Sequence, residues 1–397
     1  MNHNVLIVSP QVPSPPRDGW DVRNLGLIRA ISSSLTCDLV ALAPRGSSPD
    51  ESALESVRVS LNLGRLITVK RPRVCKSLYG IVGIACGCPL GALLYRSRTL
   101  ARVLEKLTSA RRYDSCLILG DICMAQYAKY VTARRVVWDL CDDLVLNYRR
   151  RAAVARGLLR KSYYDREAEI IDSYLRRVCP MFDSILVIAD KDARLLRPYY
   201  SKPIVEVPNR VELDRFHPSA LQKDGKGRRL LFTGVMSFHT NRDAVGFFVD
   251  EVLPLIRLKC GEVAFDVVGS GAESLAFDQR ANVVLTGFVA DLVPYYQSCD
   301  VFVCPLRIGT GIKNKLLEAM ACGCAIVTTS IGAEGLRARD GHELLIADGA
   351  RHIASAVELL LGDPDLRRRL GDNARRFVEQ EVSSEGATAR LLCALTQ

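Results

Sequence analysis

Two lysines and a glutamate follow a pair of glycines in the C-terminal part of the sequence. Gly309 and Gly311 precede Lys313 and Lys315, and Glu318 stands seven residues after Gly311. At the start of a helix, unpartnered N–H groups, the helix dipole and two ammonium groups favour an anion such as phosphate. A carboxylate two turns further on, roughly 10 Å along the same face, can accept hydrogen bonds from two hydroxyl groups. The spacing suits a nucleoside diphosphate, with Glu318 on the ribose, but it equally fits a solvated face with an i,i+3 ion pair.

The hydrophobic pattern predicts the elements that hold these residues. Residues 301–305 form an apolar run, typical of a strand buried on both faces of a parallel sheet, and residues 325–329 form a second one. Between them, residues 312–322 carry apolar side chains at helical spacing, and Gly323 suits the position after a helix. The glycine loop is therefore predicted at the carboxyl end of a strand.

Strands and helices alternate through the rest of the chain. Strands are predicted at 5–9, 37–42, 65–69, 115–119, 135–140, 184–189, 204–207, 230–234, 265–268, 283–289 and 344–346, and Gly-Ser-Gly follows the one at 265–268. The pattern indicates an α/β protein with two doubly wound, Rossmann-like domains facing across a cleft, with ligands at the carboxyl ends of the strands. We expect an N-terminal domain at 1–207, a C-terminal domain at 208–375, and a final helix at 376–397 that packs back towards the first domain.

The N-terminal domain offers its own polar residues at predicted loop positions. Gly19 ends a proline-rich loop after the first strand, where backbone can approach a ligand closely; a plain surface loop is the alternative. Asp121 and Asp139 end two further strands and are expected to face the cleft. Capping of the following helix is an alternative role for Asp142 and Asp143.

Composition and charge narrow the functional class. No apolar run approaches the ~20 residues of a membrane-spanning helix, and the N-terminus lacks the pattern of a signal peptide, so we expect a cytoplasmic protein. The 14 cysteines are not spaced as a disulfide or zinc framework. Residues 1–207 contain 32 Lys and Arg against 20 Asp and Glu, while the remainder contains 22 against 24. Without a nucleic-acid-binding motif, this basic half suits an acidic substrate or an anionic membrane surface.

One segment of the basic half mixes apolar and basic residues. Residues 71–95 combine leucines, isoleucines and valines with Arg71, Arg73 and Lys76. Basic residues beside an apolar segment suit the membrane interface, so we expect peripheral binding at the inner face of the cytoplasmic membrane. An ordinary helical hairpin under the sheet is an equally good interpretation.

The run from 305 to 335 is the most specific pattern in the chain. It resembles the donor-binding segment of family 4 of the retaining glycosyltransferases with the GT-B fold, in particular a sub-group associated with bacterial exopolysaccharide synthesis. Matching motifs occur in the right order at 6–13, 17–19, 124–127, 208–209, 216–218, 232–236, 267–271 and 285–289. The resemblance therefore covers nearly the whole chain.

The resemblance implies a GT-B glycosyltransferase of the retaining, hexosyltransferase type. It would move a sugar from a nucleotide-diphosphate sugar, bound by the C-terminal domain, to a glycan or lipid-linked acceptor bound by the N-terminal domain. No cofactor is expected, and no metal, because no Asp-x-Asp motif ends a strand of the second domain. The catalytic candidates are Lys313, Lys315 and Asp142. The donor-binding candidates are Gly19, Gly234, Val289, Arg307, Thr310, Gly311, Ile312 and Glu318.

The sequence also departs from the family pattern. The first of the family's two glutamates falls on Thr310, and the segment from Val235 to Asn241 lacks the family's Arg and Lys, for which Arg307 or Arg242 would have to compensate. Two other functions stay open: a sugar-nucleotide epimerase of the same fold, and a non-catalytic protein that binds nucleotide sugars.

Overall fold

The computed structural model describes residues 3–13, 19–43, 50–71, 76–141, 143–155, 157–219, 228–275, 282–381 and 384–397. The chain divides into two compact units. The first unit comprises Met1–Pro208 and Ser384–Gln397, and the second comprises Asn209–Ser383. Each unit is built around one parallel sheet with helices beside it.

The sheet of the first unit is doubly wound. Its described strands are β1 (Asn4–Ser9), β2 (Thr36–Leu42), β3 (Leu66–Val69), β4 (Ser115–Ile118), β5 (Arg135–Asp139), β6 (Ser184–Val187) and β7 (Ile204–Glu206). They lie in the order β3-β2-β1-β4-β5-β6-β7, with Val5 of β1 between Cys37 of β2 and Ser115 of β4. The chain thus starts in the middle of the sheet and winds outwards in both directions.

The first unit's helices connect these strands. They are α1 (Gly19–Ser32), α2 (Glu51–Ser60), α3 (Lys76–Cys86), α4 (Leu90–Leu94), α5 (Arg98–Ala110), α6 (Asp121–Ala125), α7 (Leu144–Ala153), α8 (Leu158–Val178) and α9 (Asp190–Leu196). Short 3-10 turns lie at Ala128–Tyr130 and Cys179–Met181. Apolar side chains of β1, β4 and β5 are buried, as expected for strands covered on both faces.

The second unit repeats the same topology. Its described strands are β8 (Arg229–Thr233), β9 (Ala264–Val268), β10 (Val283–Gly287), β11 (Val301–Cys304), β12 (Ala325–Thr328) and β13 (Leu345–Ile346), in the order β10-β9-β8-β11-β12-β13. Its helices are α10 (His239–Phe247), α11 (Leu253–Cys260), α12 (Val293–Ser298), α13 (Asn314–Ala321), α14 (Ala350–Gly362) and α15 (Pro364–Glu381). A π-helical turn at Phe248–Val252 joins α10 to α11, and a 3-10 turn occupies Ala272–Ser274. The predicted α/β class with two doubly wound sheets is confirmed.

The last helix, α16 (Ser384–Thr396), belongs to the first unit. Leu391 and Leu395 are fully buried in the same apolar cluster as Ile7 and Leu117. In contrast, Val378 of α15 is buried in the core of the second unit. The range 376–397, expected as one helix, is therefore divided between two helices whose apolar faces cover different cores.

Candidate functional site

The loop between β11 and α13 turns sharply before the helix begins. Gly311 has a φ of 70°, a left-handed conformation that glycine adopts without strain. Lys313 has an extended backbone, with φ −93° and ψ 107°, and the helix starts at Asn314. The predicted start of the helix at Ile312 was therefore wrong, because Lys313 is held out of the helical conformation.

The Lys313 side chain folds back onto this loop. Its Nζ donates to the carbonyl oxygen of Thr310 at 3.0 Å and also to that of Gly311. Thr310 is itself only 7% exposed, so the loop is closely packed at this point. The ammonium group stands beside the start of α13, where the helix dipole is already positive, and an anion would offset both charges.

Lys315, in the first turn of α13, points to the end of β8. Its Nζ donates to Asn241 Oδ1 at 2.8 Å and lies 4.0 Å from the ring centre of Phe232. A Cβ atom at Gly234 would lie only 2.7 Å from this Nζ and 2.8 Å from Asn241 Nδ2. Glycine at position 234 therefore makes room for the lysine and the asparagine.

The environment of Lys315 disfavours its positive charge. Burial lowers the pKa of its ammonium group from 10.5 to about 8, and the neighbouring Lys313 acts in the same direction. Cys304 and Glu318 oppose this fall in pKa only in part. The side chain is thus still protonated at neutral pH, but in a place where charge is costly unless an anion joins it.

Glu318 is fixed by a buried tyrosine. Its Oε2 accepts a hydrogen bond of 2.8 Å from the hydroxyl group of Tyr296, and the same hydroxyl lies 2.8 Å from Thr233 Oγ1 at the end of β8. Burial raises the pKa of Glu318, although the bond from Tyr296 and the charge of Lys315 act to lower it. Burial also raises the pKa of Tyr296 well above its usual value, so this hydroxyl group is a permanent donor.

Backbone hydrogen bonds of glycines join the ends of three adjacent strands. Gly234 N donates to the Val268 carbonyl oxygen at 2.9 Å, and Gly269 N donates to the Gly287 carbonyl oxygen at 3.0 Å. A Cβ atom at Gly269 would lie 2.2 Å from the carbonyl oxygen of Gly234, so only glycine fits there. The carboxyl ends of β8, β9 and β10 therefore form one closely packed surface beside Lys315.

Arg307 and Arg242 do not take the positions expected of a free phosphate-binding cation. The Arg307 guanidinium donates to both carboxylate oxygens of Asp243, at 3.0 and 2.8 Å, and lies 4.4 Å from the ring centre of Phe247. The bonds to Asp243 raise the pKa of Arg307. Arg242 donates to the Met236 carbonyl oxygen at 2.9 Å. In this structure Arg307 therefore anchors the loop to α10.

The remaining sequence candidates are distributed over both units. The second unit brings together Gly234, Thr310, Gly311, Ile312, Lys313, Lys315 and Glu318 near the ends of β8 and β11. Val289 follows β10 and packs against the same core. Gly19 is the exposed first residue of α1 in the first unit. Asp142 lies outside the described residues, and the capping role falls to Asp143, whose Oδ1 accepts from Leu146 N at 2.9 Å.

Asp139 was expected to face the cleft from the end of its strand, and this expectation was wrong. Its carboxylate is fully buried and receives the guanidinium of Arg23, with Nε at 2.9 Å from Oδ2 and Nη2 at 2.5 Å from Oδ1. Arg23 Nη1 also donates to the carbonyl oxygen of Val207 at 2.9 Å. This ion pair joins α1, β5 and the residue after β7, and it leaves Asp139 as a structural group.

Sequence reasoning missed the residues that position the two charged side chains. Asn241 holds Lys315 from 74 residues away, and Tyr296 holds Glu318 from 22 residues away. Asn209 also donates to Asn314 Oδ1 at 2.6 Å, across 105 residues. No local spacing reveals such partners, because they meet only when the sheet has formed.

Within the described ranges, no three His, Cys, Asp or Glu side chains lie together in a way that could hold a metal ion. None of the helices in those ranges is both long enough and apolar enough to cross a membrane.

Comparison with known proteins agrees with this geometry. Residues 227–363 match the family model described as glycosyl transferases group 1. The structure superposes over its full length on Alr3699/HepE of Anabaena, solved in complex with UDP, with a TM-score of 0.67, 11% identity and 100% of each chain covered. The chain thus has the fold of this glycosyltransferase-like structure, and residues 227–363 resemble the group 1 domain. The resemblance to GT-B glycosyltransferases of the family 4 type is thereby confirmed.

Two relatives come from capsule loci or capsule synthesis. An uncharacterized 44.6 kDa protein of the cps region of Klebsiella pneumoniae is 22% identical, over 96% of this chain and 97% of its own length. The capsular polysaccharide biosynthesis glycosyltransferase CapM of Staphylococcus aureus is 32% identical, over 29% of this chain and 30% of its own length.

Proposed function

We propose that this glycosyltransferase takes its sugar from a nucleoside-diphosphate sugar bound by the second unit. The observation that carries the proposal is Lys315, whose desolvated ammonium group is held at the end of β8 by Asn241. Burying such a charge does not stabilise the fold, whereas a diphosphate beside it would offset the cost of its burial. Lys313 and the first turn of α13 would bind the same diphosphate.

Glu318 completes the donor site in this proposal. It lies one turn beyond Lys315, and Tyr296 holds its carboxylate in place. A carboxylate offers about four acceptor positions, so the bond from Tyr296 leaves capacity for two ribose hydroxyl groups. Gly234, Val289, Thr310, Gly311 and Ile312 are the remaining proposed donor contacts, whereas Arg307, also expected from the sequence, is already paired with Asp243.

The proposed chemistry is the stabilisation of a leaving diphosphate. As the bond to the sugar breaks, negative charge gathers on the diphosphate, and preorganised positive charge lowers the energy of that state. Lys313 and Lys315 supply this charge, so the reaction needs no metal ion. Retention of configuration and a hexosyl donor follow from the resemblance to family 4.

The acceptor is proposed to be a glycan or lipid-linked glycan bound by the first unit, with Asp142 near it. The capsule-related names of two relatives support a role in exopolysaccharide or cell-surface glycan synthesis. The excess of basic residues in 1–207 also suits an acceptor that carries phosphate.

Nucleotide binding tests this proposal directly. Thermal unfolding is measured with UDP-, GDP- and ADP-sugars, since a ligand stabilises the folded state by mass action. We expect one nucleotide to raise the Tm of the wild type, and Lys315→Met to remove most of that rise. Lys259→Met is the matched control, because this lysine is exposed and pairs with Glu358 at 2.9 Å.

Product analysis separates transfer from the other two functions. The donor that raises the Tm is incubated with and without glycan acceptors, and the sugar products are identified. Transfer to an acceptor with retention supports the proposal. An epimerised donor formed without acceptor would identify an epimerase, and tight binding with no product from any acceptor would identify a binding protein.

A further inference from the structure

The connection between α7 and α8 exposes two consecutive leucines. Leu158 and Leu159 open α8 and are 87% and 90% exposed, the highest values among the large apolar side chains of the described residues. Val154, just after α7, is 48% exposed. We call residues 149–155 and 157–164 the α7–α8 tip. Adjacent leucines exposed to this degree are unusual unless a partner covers them.

The same tip is strongly basic. Arg160 and Lys161 share the first turn of α8 with the leucines and are exposed, and Arg149 is exposed near the end of α7. Residues 144–164 contain no aspartate or glutamate. Positive charge in the first turn of a helix opposes the helix dipole. Helix stability therefore does not explain the position of Arg160 and Lys161, and an anionic partner does.

Tyrosines lie beside the arginines of the tip. The ring centres of Tyr148 and Tyr164 are 6.1 Å apart, and those of Tyr163 and Tyr164 are 5.6 Å apart. Arg160 Nε donates to the Tyr164 hydroxyl group at 3.2 Å, and Arg151 lies 5.1 Å from the ring centre of Tyr148. Exposed apolar side chains, neighbouring basic residues and partly buried tyrosines are typical of a protein surface that binds at the membrane–water interface.

We infer that the α7–α8 tip docks the protein on an anionic lipid surface, with Leu158 and Leu159 inserted below the headgroups and Arg149, Arg160 and Lys161 on the phosphates. Charge complementarity favours lipid over a protein partner, because every charged residue from 144 to 164 is positive. The inference gives a location to the proposed lipid-linked acceptor, but the docking itself requires no sugar transfer.

The tip differs from the segment at 71–95 that the sequence suggested for membrane binding. In residues 71–95, the described side chains of Val82 and Ile84 on α3 are 39% and 37% exposed, less than half the values of the leucines in the tip. These two side chains are therefore less exposed than the leucines of the tip, and α3 serves as the competing site in the test.

Vesicle binding of the full chain tests the inference. The protein is floated with vesicles of phosphatidylglycerol and phosphatidylcholine, and with phosphatidylcholine alone, at low and high salt. We expect a preference for the anionic vesicles at low salt that disappears when the Debye length falls to about 3 Å at 1 M salt. Leu158→Ser with Leu159→Ser should weaken binding by roughly tenfold or more. Arg160→Gln with Lys161→Gln should weaken it by about fivefold for each charge removed.

Two control variants test whether loss of vesicle binding is specific to the α7–α8 tip. Leu258→Ser changes a leucine that is 82% exposed on α11 of the second unit, and it should bind vesicles like the wild type. Val82→Ser with Ile84→Ser should also bind like the wild type. Because all these positions are exposed, thermal unfolding should show every variant folded.

Three outcomes of the vesicle assay would overturn the inference. They are equal binding of the wild type to anionic and neutral vesicles, wild-type binding by the two tip variants, and loss of binding in the α3 variant instead. Binding to native membranes but not to protein-free vesicles would point to a membrane protein as partner and would also overturn it. Vesicle binding that persists in a chain without nucleotide binding would refute only the proposed function.

Discussion

Replacement of Lys315 by methionine is expected to separate stability from function. A fall in pKa from 10.5 to about 8 corresponds to about 3 kcal/mol of cost in the folded protein when the lysine is protonated, at about 1.4 kcal/mol per pH unit. Methionine removes this cost but leaves Asn241 Oδ1 without its donor, which costs about 1–3 kcal/mol. The free energy of unfolding of Lys315→Met at pH 7 should therefore be unchanged or up to about 2 kcal/mol higher.

The stability of the wild type relative to Lys315→Met should depend on pH. Below pH 8 Lys315 is protonated in both the folded and the unfolded state, so the full cost is present. Between about pH 8 and 10.5 the folded protein releases the proton first, and the wild type gains stability as pH rises. Lys315→Met cannot show this gain. The free energy of unfolding of the variant minus that of the wild type should thus fall by roughly 2–3 kcal/mol from pH 7 to pH 10, as measured by urea unfolding.

Nucleotide binding by Lys315→Met should weaken, although its stability at pH 7 should not fall. Loss of one charged hydrogen bond to a diphosphate costs about 1.5–3 kcal/mol, a weakening of roughly 10- to 150-fold by calorimetry. Lys259→Met should alter neither quantity beyond about 0.5 kcal/mol, as expected for an exposed residue. A Lys315→Met protein that is clearly less stable at pH 7 but still binds nucleotide normally would show that Lys315 is a structural cation, and the reasoning would fail.

Other substitutions test the rest of the site. Glu318→Ala should keep the fold and weaken nucleotide binding about tenfold or more, from the loss of charged hydrogen bonds to the ribose, and unchanged affinity in calorimetry would rule out the ribose contact. Gly269→Ala should lower the free energy of unfolding by about 2 kcal/mol or more, because its Cβ meets a backbone oxygen at 2.2 Å. Gly246→Ala in α10 has open space and should be neutral or stabilising by up to about 1 kcal/mol, and equal effects of the two alanines would contradict the packing argument. Transfer activity should survive excess chelator, and a loss that Mg²⁺ or Mn²⁺ restores would count against charge neutralisation by lysine alone.

The fold was largely predictable because buried parallel strands leave a strong local signal. β11 and β12 are four-residue runs of buried side chains, and their mostly apolar residues identify them in the sequence. The helix between them was also predicted, but its start was not. The backbone of Lys313 is set by contacts with its own loop, and apolar periodicity does not report such contacts.

The loop of the candidate site was predictable, but the distant residues that position its side chains were not. Gly311, Lys315 and Glu318 belong to one continuous segment, so their spacing could be read directly. The pairing of Arg307 with Asp243 spans 64 residues, and sequence offered Arg307 as a free cation. Long-range partners decide whether a charged residue is available to a ligand, and a single sequence does not contain that information.

The departure of this chain from the family pattern has a structural counterpart. The family's Arg and Lys after the first strand of the second domain are missing between Val235 and Asn241. Lys315 reaches this segment from α13, because its Nζ is bonded to Asn241 and would contact any side chain at position 234. The Lys315 ammonium group thus lies beside a segment that has no cation of its own. Gly234 leaves room for this group, and Asn241 accepts its hydrogen bond. If this compensation holds, Asn241→Leu should reduce nucleotide affinity nearly as much as Lys315→Met, since the ammonium group would lose the acceptor that positions it. Wild-type affinity in Asn241→Leu would instead mean that Lys315 needs no positioning partner.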